Sequence, residues 1–208
     1  ADAPGNVLIG KSAGTAMTIG DYNVAIGYQA ADSMVGDSNY NIAIGGNALA
    51  GEASGADSCI AIGLNALLVQ NHADAINLAI GLKAGEAITS GTSNVLIGHE
   101  AGKTLSTSGS CTAVGYSALK VATGGANTAI GSEALFQVVS GTHNVAVGLA
   151  AMYEADGDED NNTAIGNYAL LEINTDTADK NTAVGMSAGR YTTAGGAGTA
   201  VTNVINGV

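Results

Sequence analysis

Along this chain an apolar stretch with a period of two runs for three residues, stops at a glycine, and returns sixteen to nineteen residues later. The glycines that end these stretches are Gly10, Gly27, Gly45, Gly63, Gly81, Gly98, Gly115, Gly131, Gly148, Gly166 and Gly185. Ile or Val stands immediately before every one, from Ile9 to Val184, and Ala stands three positions after, from Ala13 to Ala188. Two positions before is Ala in nine units, with Leu8 and Leu96 as the exceptions. Four positions before come Asn6, Asn23, Asn41, Asn77, Asn94, Asn127, Asn144, Asn162 and Asn181, while Cys59 and Cys111 fill the other two units. Self-similarity at a fixed short period marks an architecture built by stacking one unit on the next.

The residue types say what the unit is. Asn-x-Ala-Ile-Gly, rich in β-branched side chains, predicts a short strand. Alternation puts pairs such as Val7 and Ile9, or Val24 and Ile26, on one face, with Asn, Ala and Gly on the other. Both faces are small or apolar, which predicts a strand covered on both sides. The glycine is expected to turn the chain through a left-handed conformation. The Ala-Leu or Ala-Gly that follows reads as a second short strand. A variable polar stretch with a further glycine (Gly20, Gly36, Gly91, Gly109, Gly125, Gly141) then returns as an outward loop.

A helix is excluded, because a glycine would interrupt every turn and no 3.6-residue period is sustained. The period is too short for helical-hairpin repeats and lacks the leucine pattern of leucine-rich repeats. The predicted fold is all-β: a β-solenoid or β-roll of about eleven coils over residues 1–189. Residues 190–208 are expected to form a degenerate last coil or terminal cap, with a decayed copy at Asn203–Gly207. Coils about 4.8 Å apart would give a rod of roughly 50 Å. The asparagines would form a hydrogen-bonded ladder along it.

Composition narrows the partners. Hydrophobic residues make up 46% of the chain, with one Phe and no Trp, so Ala, Val, Ile and Leu must build a thin core. A net charge of −12 argues against binding nucleic acid or anionic membranes, both of which demand Lys and Arg. No apolar run approaches the roughly 18 residues of a membrane-spanning helix. A coil this thin encloses little volume, and small cores are marginal. If the Val/Ile/Thr column faces outward, its exposed stripe would mark an interface, and three chains could bury it around a common axis. The alternative is a monomeric solenoid with every apolar residue inside.

The NxAIGxxA unit resembles the head repeats of trimeric autotransporter adhesins, which form left-handed β-rolls assembled side by side as homotrimers. The longer form, as in NTAIGSEAL from Asn127 and NTAIGNYAL from Asn162, looks still more like repeats of phage tail fibres and related surface fibres. In those fibres it often precedes a self-cleaving intramolecular chaperone domain. The resemblance covers residues 6 to about 189. It implies an extracellular homotrimer on a virion or cell surface.

Few residues suggest chemistry. Asp156, Asp158 and Asp160 alternate, and alternating oxygen ligands suit Ca²⁺. The loop lacks a terminal bidentate Glu, so a solvated acidic loop is the preferred reading, with calcium the only candidate cofactor. Cys59 and Cys111 lie three coils apart, roughly 14 Å by strand spacing, too far for a disulfide. They are read as buried apolar fillers. His72, His99 and His143 occupy different columns, and the glycines of AGGAGTA lack the Lys of a phosphate loop. No enzyme activity is expected. The leading expectation is a non-enzymatic fibre segment that spaces or presents a receptor-binding tip. The alternatives are an adhesin head binding a host glycan or matrix protein, or a filament subunit that docks end to end.

Overall fold

Each Asn-x-Ala-Ile-Gly string forms a three-residue strand, and the strands stack in parallel into one long sheet. The computed structural model describes residues 5–51, 55–155, 157–173 and 179–192. Numbered in chain order across both sheets, the long sheet holds β1 (Val7–Ile9), β2 (Val24–Ile26), β3 (Ile42–Ile44), β4 (Ile60–Ile62), β5 (Leu78–Ile80) and β6 (Val95–Ile97). It continues through β7 (Thr112–Val114), β9 (Thr128–Ile130), β11 (Val145–Val147), β13 (Thr163–Ile165) and β15 (Thr182–Val184). Register is kept column on column: Val24, Ala25 and Ile26 pair with Ile42, Ala43 and Ile44. The chain is a β-solenoid of about ten turns, one between each pair of successive strands, with no helix among the described residues.

The expected second strand directly after the glycine is not there. That segment is a run of tight turns in every coil. The second and fourth residues after each column glycine are left-handed, as in Gln29 (φ 53°) and Ala31 (φ 51°), or Asn47 (φ 53°) and Leu49 (φ 52°). A residue with positive φ cannot continue a strand. Alternating handedness aims successive amides in opposite directions: Asn47 N–H donates to Tyr28 O in the coil before, and Leu49 N–H to Ala66 O in the coil after. A second sheet does form, but two residues further on and only in the later coils. It comprises β8 (Val121–Ala122), β10 (Gln137–Val138), β12 (Glu154–Ala155), β14 (Glu172–Ile173) and β16 (Tyr191–Thr192).

The column glycines bend the chain at positive φ as expected, but beyond the left-handed helical region near 60°. Their φ values run from 126° to 142°, a region that belongs almost solely to glycine. From Gly10 to Gly166, a Cβ would lie closer than 3.0 Å to the backbone of the glycine in the next coil. The left-handed positions are filled instead by ordinary residues, including Tyr22, Leu67, Glu100 and Met152. Each costs about 1–2 kcal/mol in isolation, and the inter-coil hydrogen bonds hold it in place.

The core is a line of strand alanines packed against larger aliphatic side chains from the turns. Ala25, Ala43, Ala61, Ala79 and Ala113 of the long sheet are fully buried, together with Leu49, Leu67, Leu119 and Leu135 from the turns. Where the strand carries Leu96 instead of Ala, the turn residues facing it are Gly85 and Gly102. A Cβ on either glycine would come within 3.0 Å of a Leu96 methyl. Volume lost in the turn is thus supplied by the strand, which keeps the core close-packed.

Only one face of the long sheet is covered, contrary to the expectation from composition. The Ala face is buried, while the Val/Ile/Thr face of β2 to β15 is half-exposed or exposed. The proposed terminal cap at 190–208 lies almost wholly outside the described residues.

Candidate functional site

The asparagine column is an internal ladder. Asn144 Oδ1 accepts from the Asn162 N–H at 2.9 Å, and its Nδ2 donates to Glu159 O at 2.6 Å. The same pair of bonds recurs at Asn23, which accepts from Asn41 N–H and donates to Ser38 O. Asn41 and Asn94 repeat it toward the amides of Cys59 and Cys111. From Asn23 to Asn144 each buried Asn therefore ties its coil to the next through two backbone groups that would otherwise lack partners. The role is structural.

The cysteines interrupt this ladder, and both are buried. At Cys111 the sulfur takes the place of the amide oxygen, facing the Ala126 and Asn127 N–H groups, while burial pushes its thiol pKa up. A sulfur accepts hydrogen bonds weakly. Cys111→Asn should therefore add about 1 kcal/mol of stability and raise the melting temperature by roughly 2–4 °C. A thermal melt checks this, and an unchanged or lower midpoint would contradict the assigned role of the column.

A second ladder was missed in the sequence. Asp21 N–H donates to Asn39 Oδ1 and Asn39 N–H to Asp57 Oδ1, in the opposite sense to the first. Asp160 belongs to it: its Oδ1 accepts from Thr142 N–H and Oγ1, and its own N–H donates to Asp179 Oδ1. Asp158 accepts from Ser140 Oγ. These carboxylates tie coils together, and Asp156, the third member of the calcium candidate, lies outside the described residues. Among the described residues no group of three or more His, Cys, Asp or Glu could hold a metal ion.

Two surfaces remain. The first is the outward face of the long sheet. Beside its Val/Ile/Thr columns run the residues just after each glycine and just before each Asn or Cys. Tyr22, Tyr28, Tyr40, Leu64, Ile76 and Tyr116 there are all more than half exposed. From Tyr22 to Asn167 these four columns contain no Asp, Glu, Lys or Arg, although the chain has 24 such residues. Tyr22 stacks on Tyr40 at 5.4 Å and His99 on Tyr116 at 5.2 Å, because column neighbours sit one strand spacing apart.

No protein-family model, curated protein or solved structure matches this chain.

The second surface lies over the turns, two to six residues past each glycine. In the middle coils it is a zigzag of ion pairs. Glu86 meets Lys83 and Lys103 at 3.7 and 3.9 Å, and Glu100 meets Lys103 and Lys120 at 2.7 Å each. The Lys103 and Lys120 hydrogen bonds hold the Glu100 carboxyl down to about 2. In the next coils the same column turns aromatic, with Phe136 stacked on Tyr153 at 4.9 Å. The signal was legible in the sequence once the fifth residue after each glycine is read vertically: Glu86, Lys103, Lys120, Phe136, Tyr153.

Proposed function

We propose that this chain is a non-enzymatic structural segment of an extracellular fibre, on a virion or cell surface, whose outward sheet face packs against identical chains. A homotrimer is the assembly proposed. The observation that carries the reading is the largely apolar outward face, which runs the length of the solenoid and is uncharged from Tyr22 to Asn167. Ten strand spacings of about 4.8 Å make it about 48 Å long, and four columns make it roughly 20 Å wide. The product, on the order of 900 Å², exceeds the few hundred Å² of an ordinary exposed patch. In total it is comparable to the roughly 800 Å² that one partner buries in a stable interface, here shared between two neighbours. Because the columns repeat with the coil, identical chains aligned side by side would meet residue type against residue type over the whole length.

The resemblance of the repeat to surface-fibre units supports the same reading, and the ladder interior supplies the stiffness a spacer needs. Presentation of a receptor-binding tip is part of this proposal.

Sedimentation equilibrium of the full chain tests it. Three copies are expected at micromolar concentration, and Ile62→Glu with Ile97→Glu, both on the outward face, should yield monomers that keep the β signature in circular dichroism. A wild-type chain that stays monomeric at tens of micromolar would overturn the assembly.

A further inference from the structure

We propose that the groove beside Tyr153 binds an arginine side chain presented by a partner polypeptide. The groove has a volume of about 260 Å³ and opens above Ala150, whose small side chain sits in one column between Glu133 and Tyr168. Its walls are Tyr153, Tyr168, Glu154 and Glu172, with Glu133 at its edge. Neither the self-association face nor the ladders use these side chains, so the inference stands apart from the fibre reading.

Three observations point to a cation with a flat face. First, Glu154 and Glu172 are direct register partners on the parallel strands β12 and β14. Like charges placed so repel, and among the described residues no Lys, Arg or His pairs with them or with Glu133. Second, the coils just before this groove show what the same surface does when a cation is available. There Glu100 is bridged by Lys103 and Lys120. Third, the aromatic rings at both margins already carry the chain's own cations. Lys120 lies over Phe136 at 5.4 Å, and Arg190 lies over Tyr168 at 5.3 Å. Between those margins, Tyr153 and the Glu154–Glu172 pair offer a ring beside two carboxylates about one strand spacing apart.

That combination selects guanidinium over ammonium and over a metal ion. A guanidinium is planar, stacks on an aromatic face and forks its N–H donors to carboxylate oxygens, whereas an ammonium is a compact, strongly hydrated point charge. A calcium ion needs six to eight oxygens and gains nothing from tyrosine rings.

The test is calorimetric titration of the full chain, at physiological salt, with acetyl-triarginine amide, acetyl-trilysine amide and calcium chloride. Triarginine should bind more tightly than trilysine. Its affinity should fall at least tenfold in the near-isosteric Glu154→Gln/Glu172→Gln variant and at least threefold in Tyr153→Leu. The control pair Asp32→Asn/Asp74→Asn removes the same charge elsewhere and should bind as the parent does. Equal weakening by both pairs would show only attraction to the net negative charge and would overturn the site. So would equal affinity for trilysine, a preference for calcium, or no binding at all. Should Tyr153→Leu fail to fold, the glutamine pair and its control decide the matter.

Discussion

Gly131→Ala should destabilise the solenoid by more than about 3 kcal/mol, well beyond the ordinary cost of a point substitution. Two effects combine. At φ 136° an alanine is strained, by about 1–3 kcal/mol for so sparsely populated a region. The added Cβ would also lie closer than 3.0 Å to the carbonyl group of Gly148 in the next coil. That neighbour is backbone, so relief requires the two coils to part, at the expense of ladder hydrogen bonds on both sides. The comparison is Gly36, which has φ 70° and nothing within 4 Å of a built Cβ. Gly36→Ala meets only the left-handed cost of about 1–2 kcal/mol. In thermal melts the first should drop the midpoint by roughly 6–12 °C or more and the second by a few degrees. Equal drops would mean that the close approach of coils at the glycine column is not what demands glycine.

Leu96→Ala is the second large effect. Leu96 is fully buried and fills the space left by Gly85 and Gly102. Its truncation should cost about 3–5 kcal/mol through the cavity it opens. The repeat also contains the repair. In the next coil the equivalent positions are Ala113 and Leu119, both fully buried, and Leu119 sits at φ 52°, close to the 58° of Gly102. Gly102→Leu alone should overpack against Leu96 and Leu105, costing about 1–3 kcal/mol. Together with Leu96→Ala it should recover most of the loss. A double-mutant cycle in denaturant would show a coupling of at least about 2 kcal/mol in favour of the pair. Additive losses would sink the volume exchange between strand and turn.

The ladder shows how local and tertiary information divide. Asn at a fixed offset from glycine is visible in the sequence, and so is its interruption by Cys59 and Cys111. That the amide oxygen reaches the next coil's N–H while the amide nitrogen reaches its loop carbonyl was not visible. Both partners belong to residues fourteen to nineteen positions away, and their approach depends on the coil closing.

The period, the β class, the strands of the long sheet and the thin aliphatic core were determined by the sequence alone. All of them follow from residue type at short range, repeated often enough to remove ambiguity. The turns were not, because side chains such as Leu67 and Tyr168 disfavour left-handed backbone on their own. They adopt it only because hydrogen bonds to both neighbouring coils compensate. The same holds for which sheet face is open. Alternation places Ala and Ile on opposite sides, but both are apolar, and neither hydropathy nor size says which side encloses the axis. Tertiary closure decides that: turn leucines such as Leu49 and Leu67 take up most of the narrow interior and leave the strand room for little more than alanine, so isoleucine is left facing out.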